Sequence, residues 1–129
     1  MGYQALQQAI PKVYKKMQLP EQTYREASGQ AARILTCLPE EVNNAWVVDS
    51  VATMPEYRSR GIAENLLQKV LAEGKKLGHK LSQVNMYIGN EPALHLYQKM
   101  GFEIIEEKRD KYFEENIGSP GMLSLVKYL

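Results

Sequence analysis

The chain has 129 residues, 44% hydrophobic and 24% charged, with a formal charge of +1. That length supports one globular domain over 1–129, and the near-neutral charge offers no basic field with which to displace phosphate counterions, so nucleic acid is not an expected partner. The single cysteine, Cys37, excludes an internal disulfide, and no apolar run approaches the ~20 residues of a membrane helix, so a cytoplasmic location without a membrane partner is expected.

Residues 3–17 place Leu6, Ile10, Val13 and Met17 at helical spacing. Pro11 should interrupt this helix, starting a fresh turn or bending it. A second helix is predicted from about Pro20 to about Leu38. Tyr24, Ala27, Ala31, Ile34 or Leu35, and Leu38 face inward along it, and Pro39 stops it. Cys37 falls on that inward side with no nearby histidine in sequence and reads as a core residue.

From Ala45 to Met54 the sequence is nearly continuous in apolar and β-branched residues, and it reads as a central strand. Residues 61–77 form the clearest helix, lined by Ile62, Ala63, Leu66, Leu67, Val70, Leu71 and Leu77 and stopped by Gly78. Leu81–Ile88 is a strand with Val84, Met86 and Ile88 alternating. Pro92–Met100 is a short helix ended by Gly101. Residues 102–112 and 122–129 read as antiparallel strands joined by a turn-rich link containing Gly118 and Gly121. The predicted order is α-α-β-α-β-α-β-β, with the middle β-α-β unit a parallel, right-handed crossover.

Two segments carry chemistry. The first is Arg58-x-x-Gly61-x-Ala63, placed between the predicted strand and the long helix. A helix N-terminus offers unpaired N–H groups and the positive end of the helix dipole. Gly61 lets a ligand approach the backbone, and Arg58 and Arg60 add charge-assisted donors, together suiting a pyrophosphate. The second runs Asn90, Ala93, Leu96, Tyr97, Gly101 and Phe102. Packing accounts for most of these residues, whereas Asn90 and Tyr97 bring polar groups to the end of the sheet where α/β sites gather.

Together the segments resemble the GNAT superfamily of acyl-CoA-dependent N-acetyltransferases over residues 45–129, with the motif spacing intact. The resemblance implies an α/β (α+β) fold with a mixed central sheet flanked by helices, and acetyl-CoA as cosubstrate. Residues 45–129 become the acetyl-CoA-binding core and 1–41 a helical N-terminal segment. It further implies that the backbone of Val51, Ala52 and Thr53 meets the pantetheine arm, and that Arg58, Ser59, Arg60, Gly61, Ile62 and Ala63 hold the pyrophosphate. Asn90 helps anchor the cofactor, and Tyr97 protonates the departing thiolate. The acceptor is a primary amine of a small molecule or peptide, attacking directly once deprotonated. Asp49 is the candidate base in the strand, with Glu40 and Glu41 able to act through water. His79 and His95 lack metal-ligand spacing, and no metal is expected.

The sequence departs from this family in one respect. Members usually place further strands before the one seen at Ala45–Met54, so the fold is expected to be N-terminally abbreviated. Either the chain is truncated, or a homodimer or another partner chain completes the sheet and its exposed edge. An inactive acyl-CoA-binding or regulatory domain and a plain interaction module are the competing functions.

Overall fold

Helical and then extended spacing in the sequence becomes two helices followed by a sheet in the computed structural model, which describes residues 2–129, with side chains from residue 8 onward. Two compact units result, one ending at Thr36 and the other spanning Cys37–Leu129. No helix among the described residues is long and apolar enough to cross a membrane.

The first unit holds α1 (Gly2–Lys16) and α2 (Glu21–Leu35). Pro11 does not divide α1, which is one continuous helix; the missing N–H of a proline removes a single bond, and the neighbouring turns carry the helix past it. Leu6 lies outside the residues whose side chains are described. The remaining stripe is not a buried face, since Ile10, Val13 and Met17 are all exposed. Between the helices Gln18 takes a left-handed φ of 54°, and Tyr14 and Tyr24 then meet edge-on at 5.1 Å. The second helix ends at Leu35, short of Leu38, because the Thr36 hydroxyl donates to the Arg33 carbonyl at 2.7 Å and caps the last turn. Tyr24, Ala27, Ile34 and Leu35 are half-buried, while Ala31 and Leu38 are exposed.

In the second unit β1 (Trp46–Val48), α3 (Ile62–Lys76), β2 (Leu81–Tyr87), α4 (Glu91–Lys99), β3 (Glu103–Arg109), α5 (Lys111–Ile117) and β4 (Gly121–Tyr128) follow in chain order. A four-stranded mixed sheet forms in the order β1-β2-β4-β3. The predicted parallel pairing of the strands flanking α3 is present, with Trp46 opposite Ser82 and Val48 opposite Val84. β4 runs antiparallel to both β2 and β3.

Three sequence expectations change here. The strand predicted from Ala45 to Met54 stops at Val48, because Ser50 adopts a left-handed φ of 57° and its N–H turns back onto the Asp49 carboxylate at 2.7 Å. It is also an edge strand of this sheet rather than a central one, and the chain's last strand takes the centre. Finally, the link before β4 contains α5, whose N-cap Asp110 accepts the Phe113 N–H at 2.7 Å and whose C-cap Gly118 has a left-handed φ of 84°.

Leu67 and Leu71 of α3, Tyr97 of α4 and Phe102 pack with Val84, Met86, Leu123 and Leu125 on one face of the sheet. Register puts Gln83, Asn85 and Tyr87 on the other face, opposite Val126, Ser124 and Met122. There the Tyr87 ring approaches Phe113 of α5 at 6.0 Å. Gln83 is fully buried and satisfied: its Nε2 donates to the Glu40 carbonyl at 2.9 Å and to Ser124 Oγ at 2.8 Å, while its Oε1 accepts from the Val42 N–H at 2.7 Å. The side chain thereby ties the segment leading into β1 down onto β2. Cys37 is 2% exposed, as expected of a core residue.

Candidate functional site

Where β1 ends, β2 continues. Asn85, Met86 and Tyr87 keep their β4 partners but have no β1 residue opposite them. After the kink at Ser50, Val51, Ala52 and Thr53 leave the strand ladder, Val51 still packing against the core, and no backbone–backbone hydrogen bond joins these three to another described residue. Exposed ladder groups of this kind are available to a ligand that itself carries amides.

The chain then makes a one-turn helix at Pro55–Tyr57 and enters α3 through Ser59 and Gly61, both left-handed, with φ of 59° and 71°. Gly61 is the N-cap of α3 and has no side chain to cap it. The N–H groups of Ile62, Ala63 and Glu64 have no acceptor among the described residues, and the first bond into the helix is Asn65 N–H to the Gly61 carbonyl at 3.0 Å. Arg58 donates its Nε–H to the Thr53 carbonyl at 3.1 Å. One edge of the guanidinium is thus fixed, with the Nη groups left free to reach an anion.

These features line one cleft of about 650 Å³. Val51, Ala52 and Thr53 form one wall, Arg58, Ser59, Gly61, Ile62 and Ala63 the end at the start of α3, and Asn90, Pro92, Ala93, Leu96 and Tyr97 of α4 and its cap the opposite wall. Every residue expected to hold the cofactor lines the cleft except Arg60. Its guanidinium instead lies over the Tyr57 ring, 5.6 Å from the centroid. Tyr57 and Glu64 also line the cleft and were not anticipated. Tyr57 is signalled only by its place beside Arg58, and Glu64 by its place in the first turn of α3.

Tyr97 is 5% exposed and packs edge-on against Phe102 at 5.8 Å. Its side chain lines the cleft, and no described residue hydrogen-bonds its hydroxyl. The phenol is neutral at about pH 7 in any case, and burial pushes it further above its ordinary value. Asn90 serves first as the α4 N-cap, its Oδ1 accepting the Ala93 N–H at 3.4 Å, so its side chain shapes the wall as well as facing the cleft.

Asp49 does not join this group. It is exposed and lines a separate hollow of about 320 Å³ between β1 and α3, bounded by Trp46, Leu66 and Val70. Glu40 and Glu41 are likewise outside the cleft. His79 uses Nδ1 on the Asn44 carbonyl at 3.0 Å and leans on Trp46, and His95 bonds the Glu91 carbonyl at 2.9 Å. Among the described residues no three histidine, cysteine or acidic side chains group as metal ligands. Among the described residues, Glu64 is the only acidic one lining the cleft.

The family model described as "Acetyltransferase (GNAT) family" matches residues 12–102. An N-alpha-acetyltransferase of Sulfurisphaera tokodaii is 34% identical over 77 residues, covering 58% of this chain and 45% of the relative. N-alpha-acetyltransferase 50 of Danio rerio is 38% identical over 64 residues, covering 49% of this chain and 38% of the relative. The chain therefore spans less than half the length of these curated relatives. Among solved structures, a Bacillus subtilis acetyltransferase in complex with CoA superposes with a TM-score of 0.61 at 20% identity, covering 70% of this chain and 64% of that one. The IAA acetyltransferase of Bacillus cereus gives 0.60 at 22% identity, covering 70% and 65%.

Proposed function

The chain belongs to the GNAT family of acetyltransferases, and on that premise we propose that it binds acetyl-CoA in the cleft between Val51–Thr53 and α4 and passes the acetyl group to a primary amine. The observation that carries this reading is the run of main-chain groups at Val51–Thr53 that lack backbone partners, with only the Thr53 carbonyl taken by Arg58, leading to the open N-terminus of α3 behind Gly61. An amide-bearing arm that ends in a pyrophosphate fits both parts. The cosubstrate supplies an acyl group activated as a thioester.

The residues of this chain do the rest. Amides of Ile62, Ala63 and Glu64, with the Arg58 guanidinium, hold the pyrophosphate. Main-chain groups of Val51–Thr53 orient the arm so that the thioester faces the gap where β1 and β2 part. A backbone N–H at that gap stabilises charge developing on the carbonyl oxygen with little reorganisation. Tyr97 donates its proton to the leaving sulfur, and the proton released by the attacking amine returns to the phenolate through solvent.

The acceptor is read as a small molecule or a peptide amine. The unpaired outer edge of β1 supports completion of the sheet by a dimer partner or another chain. The lone thiol of Cys37 suits a reducing, cytoplasmic setting.

One observation favours a second reading, an acyl-CoA-binding domain without activity of its own. Asp49, Glu40 and Glu41 all lie outside the cleft, so no candidate base from the sequence faces the expected acyl carbon. Calorimetric titration with acetyl-CoA tests both readings, beside Gly61→Asp, which places a carboxylate in the anion site. Micromolar binding lost in the variant, followed by turnover in an amine screen, supports the enzyme. Binding without turnover on any amine supports the second reading, and absence of binding by folded protein removes both.

A further inference from the structure

Glu64 stands in the first turn of α3 and lines the cleft, its side chain only 28% exposed. A carboxylate there competes with any anionic ligand for the same helix terminus. Its partner comes from the opposite wall: Lys99 Nζ, at the C-terminal end of α4, reaches Glu64 Oε2 at 2.7 Å. Among the described residues this is the sole hydrogen bond or ion pair between α3 and α4. The two helices carry the anion-binding end and Tyr97, respectively.

We propose that Lys99 is a positioning residue for the cofactor: by pairing with Glu64 it cancels a misplaced negative charge beside the pyrophosphate site and fixes the spacing of α3 and α4. The inference rests on the cofactor reading above. Lys99 touches neither the reacting atoms nor the ligand in this account, and its effect passes through Glu64. Loss of Lys99 leaves a half-shielded carboxylate facing a polyanion, whereas loss of both partners removes the repulsion along with its remedy. A residue that served stability alone would show no such rescue.

The test is calorimetric titration of acetyl-CoA against the wild type, Lys99→Met, Glu64→Gln and the double variant, each confirmed folded by its thermal transition. Lys99→Met should weaken binding by about three- to tenfold at low salt, the range expected of one partly screened charge. The deficit should shrink at high salt, where the Debye length falls to a few ångströms. Adding Glu64→Gln to Lys99→Met should restore affinity to within about twofold of the wild type. Unchanged affinity in Lys99→Met, or a double variant as weak as the single one, overturns the proposal while leaving the cofactor site standing. A folded wild type that does not bind acetyl-CoA overturns the proposal and the cofactor reading together.

Discussion

Gly74 of α3 faces the indole of Trp46 in β1 so closely that an added methyl group would stand 2.6 Å from the ring's Cγ and Cδ1. The indole N–H is buried with no acceptor among the described residues, so packing alone holds the ring in place. In an open helix, replacing glycine by alanine stabilises by about 1 kcal/mol. Here overpacking opposes that gain with about 1–3 kcal/mol. Gly74→Ala should therefore lower stability by up to about 2 kcal/mol in urea denaturation, with a change in tryptophan fluorescence. A stabilised variant with unaltered fluorescence would refute the contact.

Gln83→Leu should destabilise the second unit more. The substitution conserves approximate size but strands the Val42 N–H and the Glu40 carbonyl, both now bonded to the Gln83 amide. Buried groups left without partners cost about 1–3 kcal/mol each. Hydrogen exchange at Val42 gives the local readout: protection there should fall while protection in β4 persists under native conditions.

Tyr97→Phe keeps the ring against Phe102 and removes only the hydroxyl. If Tyr97 is the acid, kcat should fall by about 10²-fold with KM for acetyl-CoA within about threefold of the wild type. An unchanged kcat would assign proton return to another group.

Burial of Tyr97 also predicts an alkaline effect on stability. The folded state favours the neutral phenol, so the folded pKa lies above the ordinary value of 10.0. The associated stabilisation is fully present below that ordinary value and is lost as pH rises through the folded one. Wild type should thus lose stability above about pH 10 more steeply than Tyr97→Phe, measured by denaturation at stepped pH. Parallel curves would show that the phenol ionises freely in the folded protein.

Cys37 should react slowly. Burial, and after it the Asp110 carboxylate, push its thiol above the ordinary value, and the thiolate is the reactive form. A disulfide reagent at pH 8 should label the native protein at least about tenfold more slowly than the unfolded chain. Equal rates would mean that the segment at 37 opens readily.

Much of the cleft was legible because its chemistry is local. Gly61 before an amphipathic run announces a helix N-terminus, and the structure puts it in a left-handed N-cap. Tyr97 and Asn90 follow from their place at a helix beside a strand end. Arg60 was not legible, since only the loop's path decides that Arg58 turns to the Thr53 carbonyl while Arg60 turns to Tyr57. The strand at Ala45–Met54 was overextended because its composition hides a conformational break at Asp49–Ser50. The helix α5 was overlooked in a segment dominated by charges, although Asp110 three residues before Phe113 and the later Gly118 were its start and stop signals. Strand order is the least local property of all. Nothing in β4 itself says that it inserts between β2 and β3.

The kink at Ser50 has a consequence for how this site tolerates change. The wall at Val51–Thr53 presents main-chain atoms, which every residue type except proline supplies alike. A randomised library over these three positions should therefore retain ligand capture in many members, filtered chiefly by side-chain bulk and by proline. A library over Arg58, Ser59 and Gly61 should retain it in few, because there a guanidinium and two left-handed φ angles are specified by side-chain identity. Sequence drift in descendants of this chain would accordingly concentrate on the wall and spare the turn.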